Sequence, residues 1–297
     1  MNLYYQVFRH LLRAMGLLLL LLSLLLTHLL TQLTVHVITV KFPSTPTIDI
    51  LYAANWLVSL VHALITTVVG LVLLHESDLV LMEVELPLLY PYGWLSLGYW
   101  LYDLVSLASL ANKDSPQALP ARLGLTARVQ RAGQQVGNLL RWWPGMVGHH
   151  LGVITFLWLA VLNTDRQRGD GMVAASFIME LSSVFVAARS ALAKLGFKNT
   201  SLYLWMSVCM VATFLLARIV LLPGVIYLYS MQQGLTMLQG MLSMPRQCVI
   251  GTVMFYGLNC YWFSLMVRGC VRLVTGSRKK TELEMRSKKT EEDEKNQ

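Results

Sequence analysis

The chain runs apolar again and again for about 20 residues, the length an α-helix needs to cross a bilayer. Seven stretches meet that rule: about 14–37, 52–74, 93–111, 145–163, 172–194, 202–229 and 248–270. No other feature constrains the fold as strongly. Inside hydrocarbon every backbone N–H and C=O must be satisfied within the protein, so an apolar span of this length is read as a helix. The expected fold class is therefore all-α: a multi-pass transmembrane helix bundle of about seven spans. Composition agrees, with 55% hydrophobic and 13% charged residues and a mean hydropathy of +0.54. A water-soluble domain carries charge on roughly a quarter of its residues.

Three regions follow from this pattern: a first span and connection over 1–49, a main helical domain over 50–275, and a charged tail over 276–297. The leucine run that opens the first span follows Arg9 and Arg13, as the core of a signal peptide would. It continues through Leu29, Leu30 and Leu33 to Val40 without a small-residue cleavage site, which favours an uncleaved span. Pro43 and Pro46 break the chain before the second span. The long connection from Asn112 to Pro144 holds Lys113, Arg122, Arg128, Arg131 and Arg141 with apolar residues between them. It reads either as a plain cytosolic loop or as a basic amphipathic segment on the membrane surface. The tail is rich in Lys, Glu and Ser, buries almost nothing, and is expected to be disordered.

The net charge of +8 is no nucleic-acid footprint, because much of it sits in loops and in the tail. Placing the N-terminus in the lumen puts seventeen Lys and Arg residues on the cytosolic side against five on the other. Arg9 and Arg13 argue locally for the opposite placement. In the favoured orientation the sequon Asn199-Thr200-Ser201 faces the cytosol and stays unglycosylated. Cys209, Cys248, Cys260 and Cys270 lie in or beside late spans without metal-ligand spacing and read as buried thiols. No metal site is expected.

Polar residues inside the spans carry the functional information, since an ionisable group in a bilayer is costly unless paired or wetted. Asn55, Ser59, His62 and Thr66 recur at intervals of four, three and four and make one face of the second span. Tyr92, Ser96, Tyr99, Asp103 and Ser106 do the same in the third. Both faces should turn into the bundle. In the fourth, His149 and His150 stand about 100° apart on a helix, so both can face one cavity. The alternative is that Gly145 and Gly148 mark a helix start and both rings lie in the headgroup layer. Glu180 shares a side with Ser183, Ala187 and Ala191 and should face inward. Arg189 snorkels or meets another helix, and Arg218 has no local partner, with a kink expected beyond it at Pro223 and Gly224. A charge network that only fixes helix register would explain these three equally well.

Five segments, in order, resemble the TLC family of TRAM, Lag1 and ceroid-lipofuscinosis membrane proteins. They are Asn55-Trp-Leu-Val-Ser-Leu-Val-His-Ala63, Ser96-Leu-Gly-Tyr-Trp-Leu-Tyr-Asp-Leu104, Gly148-His-His150, Glu180-Leu-Ser-Ser-Val-Phe-Val-Ala-Ala-Arg189 and Phe214-Leu-Leu-Ala-Arg-Ile219. The resemblance spans about 50–275. It implies a bundle of six or seven helices, usually in the endoplasmic reticulum membrane, tied to lipid synthesis, sensing or trafficking. Its best-defined enzymes, the ceramide synthases, join a long-chain base to an acyl-CoA and need a histidine pair. By that resemblance His149 or His150 would be the general base. The synthases carry further aspartates after the pair, whereas Leu151 to Leu162 has none. The chain is more similar to the smaller TLC-domain proteins of lipid homeostasis.

Three functional readings follow. In the first, the protein binds a lipid in an intramembrane polar cavity lined by Asn55, His62, Tyr99, Asp103, Glu180 and Arg218, next to His149 and His150, and adjusts membrane lipid composition. In the second it is an N-acyltransferase of sphingoid bases, with His149 and His150 catalytic and acyl-CoA as co-substrate. In the third it is a cargo receptor or scaffold whose polar residues are structural. The expected partners are membrane lipids and not nucleic acid, no cofactor is expected, and a homo-oligomer is compatible with all three.

Overall fold

The computed structural model describes residues 3–113, 144–159 and 169–295 with short stretches between 133 and 141; side chains are described only within 14–272. The chain is a helical bundle, with no strand among the described residues. Its elements are α1 (Leu3–Lys41), α2 (Thr47–Glu76), α3 (Leu89–Lys113), α4 (Pro144–Leu157), α5 (Asp170–Ile178), α6 (Leu181–Lys194), α7 (Ser201–Phe214), α8 (Leu221–Gln232), α9 (Met237–Ser243) and α10 (Arg246–Lys295). Among the described residues five helical stretches are long and apolar enough to cross a membrane: Ala14–Lys41, Thr47–Glu76, Asp170–Lys194, Ser201–Gln232 and Arg246–Arg272. The other two expected spans are also helical. α3 has the length, at 25 residues, but tyrosines, tryptophans and Asp103 lower its apolar balance. The described part of α4 is 14 residues.

The bundle is turned inside out relative to a soluble protein. On α1 the leucines Leu17, Leu18, Leu21, Leu25 and Leu29 point outward, while Gly16, Ser23, Thr27, Thr31 and Ile38 are buried. The inward residues recur at intervals of seven, four, four and seven, and most are small. Without a hydrophobic force between helices in lipid, small residues that let backbones approach supply the packing. Against this stripe stands α3. A Cβ on Gly16 would strike the Trp94 ring at 2.3 Å, and one on Gly98 would meet Leu20 O at 2.8 Å. The Ser23 hydroxyl donates to the Leu95 carbonyl at 2.6 Å. The first span is thus a working wall of the bundle.

Helices α2, α3, α5 and α6 form the centre. Val58, Leu73, Trp94, Leu97, Trp100, Leu157 and Phe177 build the apolar core. Gly70 of α2 lies so close to α5 that a Cβ there would meet Ala174 O at 3.0 Å. The connections sort by parity, as alternating spans require. At one end Lys194 pairs with Asp49 at 2.9 Å and Phe42 packs edge-on against Phe197. At the other, Gly169 N–H donates to Met82 O, Leu86 N–H to Asp170, and Gln232 bridges to Leu79 and Leu81.

Several expectations need correction. Cys248, Cys260 and Cys270 are exposed and Cys209 is half-buried, so these thiols are not core residues. The reason is that the last span packs along one narrow face and turns the rest outward. The fifth span is not one continuous helix, since Met179 and Glu180 form a turn between α5 and α6. Beyond Arg272 the helix of the last span continues to Lys295, over a stretch rich in Lys, Glu and Arg, which are good helix formers. The basic stretch of the long loop around Arg122, Arg128 and Arg131 lies outside the described residues.

Replacing Gly98 with Val should separate α1 from α3 and cost about 1–3 kcal/mol, as overpacking typically does. Gly257→Ala, where a Cβ meets nothing, is the control. Thermal unfolding in detergent should show a lowered midpoint for Gly98→Val and none for Gly257→Ala.

Candidate functional site

The two polar faces expected on α2 and α3 do meet, and the start of α4 closes on them. Ser106 donates to Asn55 Oδ1 at 2.6 Å, and Asn55 Nδ2 donates to Asp103 Oδ1 at 2.9 Å. The second carboxylate oxygen of Asp103 lies 2.6 Å from His150 Nε2. His150 Nδ1 reaches back one turn to the Met146 carbonyl at 2.8 Å. Asn55, Asp103 and His150 are all buried. The proton count is fixed by this geometry. A carbonyl only accepts, so Nδ1 carries a hydrogen. The short Asp103 contact then needs a second hydrogen, on the ring or on the carboxyl. His150 and Asp103 together therefore hold one shared proton and no net charge.

A second cluster continues along the same helices. His62 Nε2 lies 3.2 Å from the Ser96 hydroxyl, and its ring stacks on Tyr99 with centroids 3.6 Å apart. One turn on, Thr66 pairs with the Tyr92 hydroxyl. Trp100 stands between the two groups, edge-on to His62, His149 and His150 at centroid distances of 5.8, 5.6 and 4.9 Å.

The third cluster is built where α7 passes into α8. Residues Leu215–Val220 form a π-helical turn, a local widening that often marks functional sites. Pro223 and Gly224, where a kink is expected, fall within α8, whereas the irregular turn comes before them, around Arg218. Pro223 has no N–H for the carbonyl four residues back, that of Ile219, and Tyr256 of α10 reaches this carbonyl instead at 3.5 Å. The wide turn places Arg218 inside the bundle. Its guanidinium donates to Ser182 at 2.7 Å, Ser183 at 2.8 Å, Glu180 at 3.1 Å and Asn259 at 3.5 Å. Within its own span Arg218 lies over the Phe214 ring at 5.5 Å, and its charge is met across the bundle by Glu180 at the α5–α6 turn. Arg189 meets α7, donating to Ser207 at 3.0 Å under the Tyr203 ring.

His149 differs from its neighbour. It is buried among Trp100, Phe255 and Trp262, and its Nδ1 has no hydrogen-bond partner. The expected cavity residues thus fall into separate groups. Asn55 and Asp103 join His150, His62 joins Tyr99, and Glu180 joins Arg218. Reading the sequence missed Trp100, Ser182 and Asn259. A signal existed for the last: Asn259 is the lone amide in the stretch from Val249 to Val271.

Removing one partner of a buried ion pair costs about 3–5 kcal/mol, because the other charge is left uncompensated. Glu180→Ala and Arg218→Ala should each destabilise on that scale. The double replacement should cost clearly less than their sum when unfolding is followed by heat or protease. Simple additivity would show that the two side chains are not coupled.

No solved structure matches the chain. The family model of the TLC domain does match, over residues 53–268, a span that opens beside Asn55 and closes beyond Asn259 and so takes in all three clusters. With well over half of its length covered in this way, the chain belongs to the TLC-domain family.

Proposed function

We propose that this protein binds a membrane lipid by its polar end at the His149–His150 pair and thereby adjusts membrane lipid composition. Membership of the TLC family makes it an integral membrane protein of lipid metabolism or homeostasis. The finer reading is carried by one observation: two adjacent buried histidines in unequal states. His150 is held at both nitrogens, while His149 keeps a buried nitrogen without a partner. Register-fixing networks have no use for an orphaned polar atom, since leaving one buried costs about 1–3 kcal/mol. A ligand group that satisfies it removes that cost. The oriented imidazole of His150, the amide of Asn55 and the carboxyl of Asp103 would hold the surroundings rigid. His62 and Tyr99 would form the neighbouring wall.

A second reading, acyl-CoA-dependent N-acylation of a sphingoid base, draws on the same pair. The Asp103–His150 contact places a proton acceptor and donor side by side, which general acid–base transfer requires. The lack of aspartates after the pair in α4 speaks against it. The protein belongs, in this proposal, to the endoplasmic reticulum membrane with its N-terminus lumenal. The Lys194–Asp49 end would then face the cytosol.

Replacing His149 and His150 together with Ala separates these readings. Under the lipid-binding reading the cellular lipid profile shifts with the variant at normal abundance, and the purified wild-type protein shows no acyl-CoA turnover. Turnover lost in the variant would establish the enzyme. An unchanged lipid profile and normal folding would leave only a scaffold. The orientation is checked separately: Asn199 should remain unglycosylated, and a glycan there would reverse the topology.

A further inference from the structure

We infer that Asn259 of α10 is a ligand-recognition residue that acts with His149, and that the pair takes a neutral hydroxyl- or carbonyl-bearing lipid group rather than an anionic headgroup. The inference rests on the lipid-binding reading above and sharpens it. Asn259 is 1% exposed, and its Nδ2 has no hydrogen-bond partner. Its Oδ1 accepts from Arg218 at 3.5 Å, which turns the oxygen end toward the guanidinium. An amide anchored through its oxygen presents its two N–H groups elsewhere.

That direction is set by α10. Phe255, Asn259 and Trp262 stand at i, i+4 and i+7 and share one helix face. Phe255 and Trp262 both pack edge-on against the His149 ring, at 5.9 and 5.3 Å between centroids. Asn259 lies between them in sequence, on that same side of α10. The α4 backbone is drawn in close here, since a Cβ on Gly152 would meet the Phe255 ring at 2.8 Å. Two buried, unpartnered polar groups thus stand on facing helices within an aromatic surround. Together they supply N–H donors from Asn259 and a ring nitrogen from His149 that donates or accepts according to its tautomer.

Charge decides what they hold. The Arg218 guanidinium is neutralised by Glu180, and Asp103 with His150 shares one proton without net charge. Among the described residues the cation whose field reaches His149 is Arg218, already paired with Glu180. A phosphate would enter an apolar, aromatic site with its charge unmet, at heavy desolvation cost. A hydroxyl or carbonyl oxygen accepts from Asn259, and a hydroxyl also donates to His149, so both orphaned atoms are satisfied without adding charge.

The test uses the purified full chain in nanodiscs with two photoactivatable, clickable probes of equal acyl chains, diacylglycerol and phosphatidic acid. The diacylglycerol probe should label the wild-type protein and be competed by unlabelled diacylglycerol, with phosphatidic acid labelling far less. Asn259→Asp keeps the oxygen for Arg218 and removes the donor. It should cut diacylglycerol labelling roughly tenfold, about what one hydrogen bond contributes, while the thermal midpoint confirms folding. His149→Phe, which keeps the aromatic packing, should do the same. Loss with His149→Phe but not with Asn259→Asp would overturn the role of Asn259 and leave the lipid reading intact. Equal labelling by phosphatidic acid would overturn the neutral-ligand assignment. Labelling by both probes that neither variant reduces would sink the lipid reading itself.

Discussion

The structure depends on the expense of leaving a carboxylate and an imidazole among hydrocarbon. Asp103 and His150 meet it by sharing a proton across 2.6 Å, and Asn55 from α2 and Ser106, one turn along α3, complete the chain. Three helices are thereby tied to one another at fixed heights, because no member can slide by a turn without orphaning another. The same logic governs Arg218. A guanidinium inside a bundle needs its hydrogen bonds met within the protein, and Glu180, Ser182, Ser183 and Asn259 supply acceptors from two other elements.

Irregular backbone is concentrated where these charges sit. The turn at Met179 and Glu180 interrupts the fifth span, and the π-helical turn interrupts the sixth around Arg218. The π-helical turn buries Ala217 and Arg218 while Leu215, Leu216 and Val220 stay on the outer face, so the polar side of the irregularity is the one turned into protein. Pro223 gives the second a cause, and the Tyr256 hydroxyl takes up the carbonyl left over. The breaks carry Glu180 and Arg218 into contact. Elsewhere close packing comes from small residues, as where Gly16 and Gly98 bring α1 against α3 and Gly70 brings α2 against α5.

Within this frame the two histidines have become unequal. His150 is spent on holding the helices, with both nitrogens engaged. His149, one residue earlier, packs against the Phe255 and Trp262 rings of α10, the helix whose Asn259 also keeps unmet N–H groups. An oriented residue beside a receptive one is the arrangement a binding site needs, since the first fixes the geometry that the second offers to a ligand.

The sequence alone determined the class of fold and the inward faces. Apolar runs of bilayer length leave the backbone few options but helix, and intervals of three and four put Asn55 with His62 and Tyr99 with Asp103 without any coordinates. It also marked His149, His150, Glu180 and Arg218 as residues that hydrocarbon would not accept unpaired. Which of them pair was decided only by tertiary structure. Asn55 and Asp103 are 48 residues apart, and Glu180 and Arg218 are 38 apart, on helices whose rotation and height no local periodicity encodes. Asn259 is the sharpest case. Within its span it is merely the lone amide, and only the approach of α10 to α4 and to Arg218 gives one end of that amide a partner and leaves the other open.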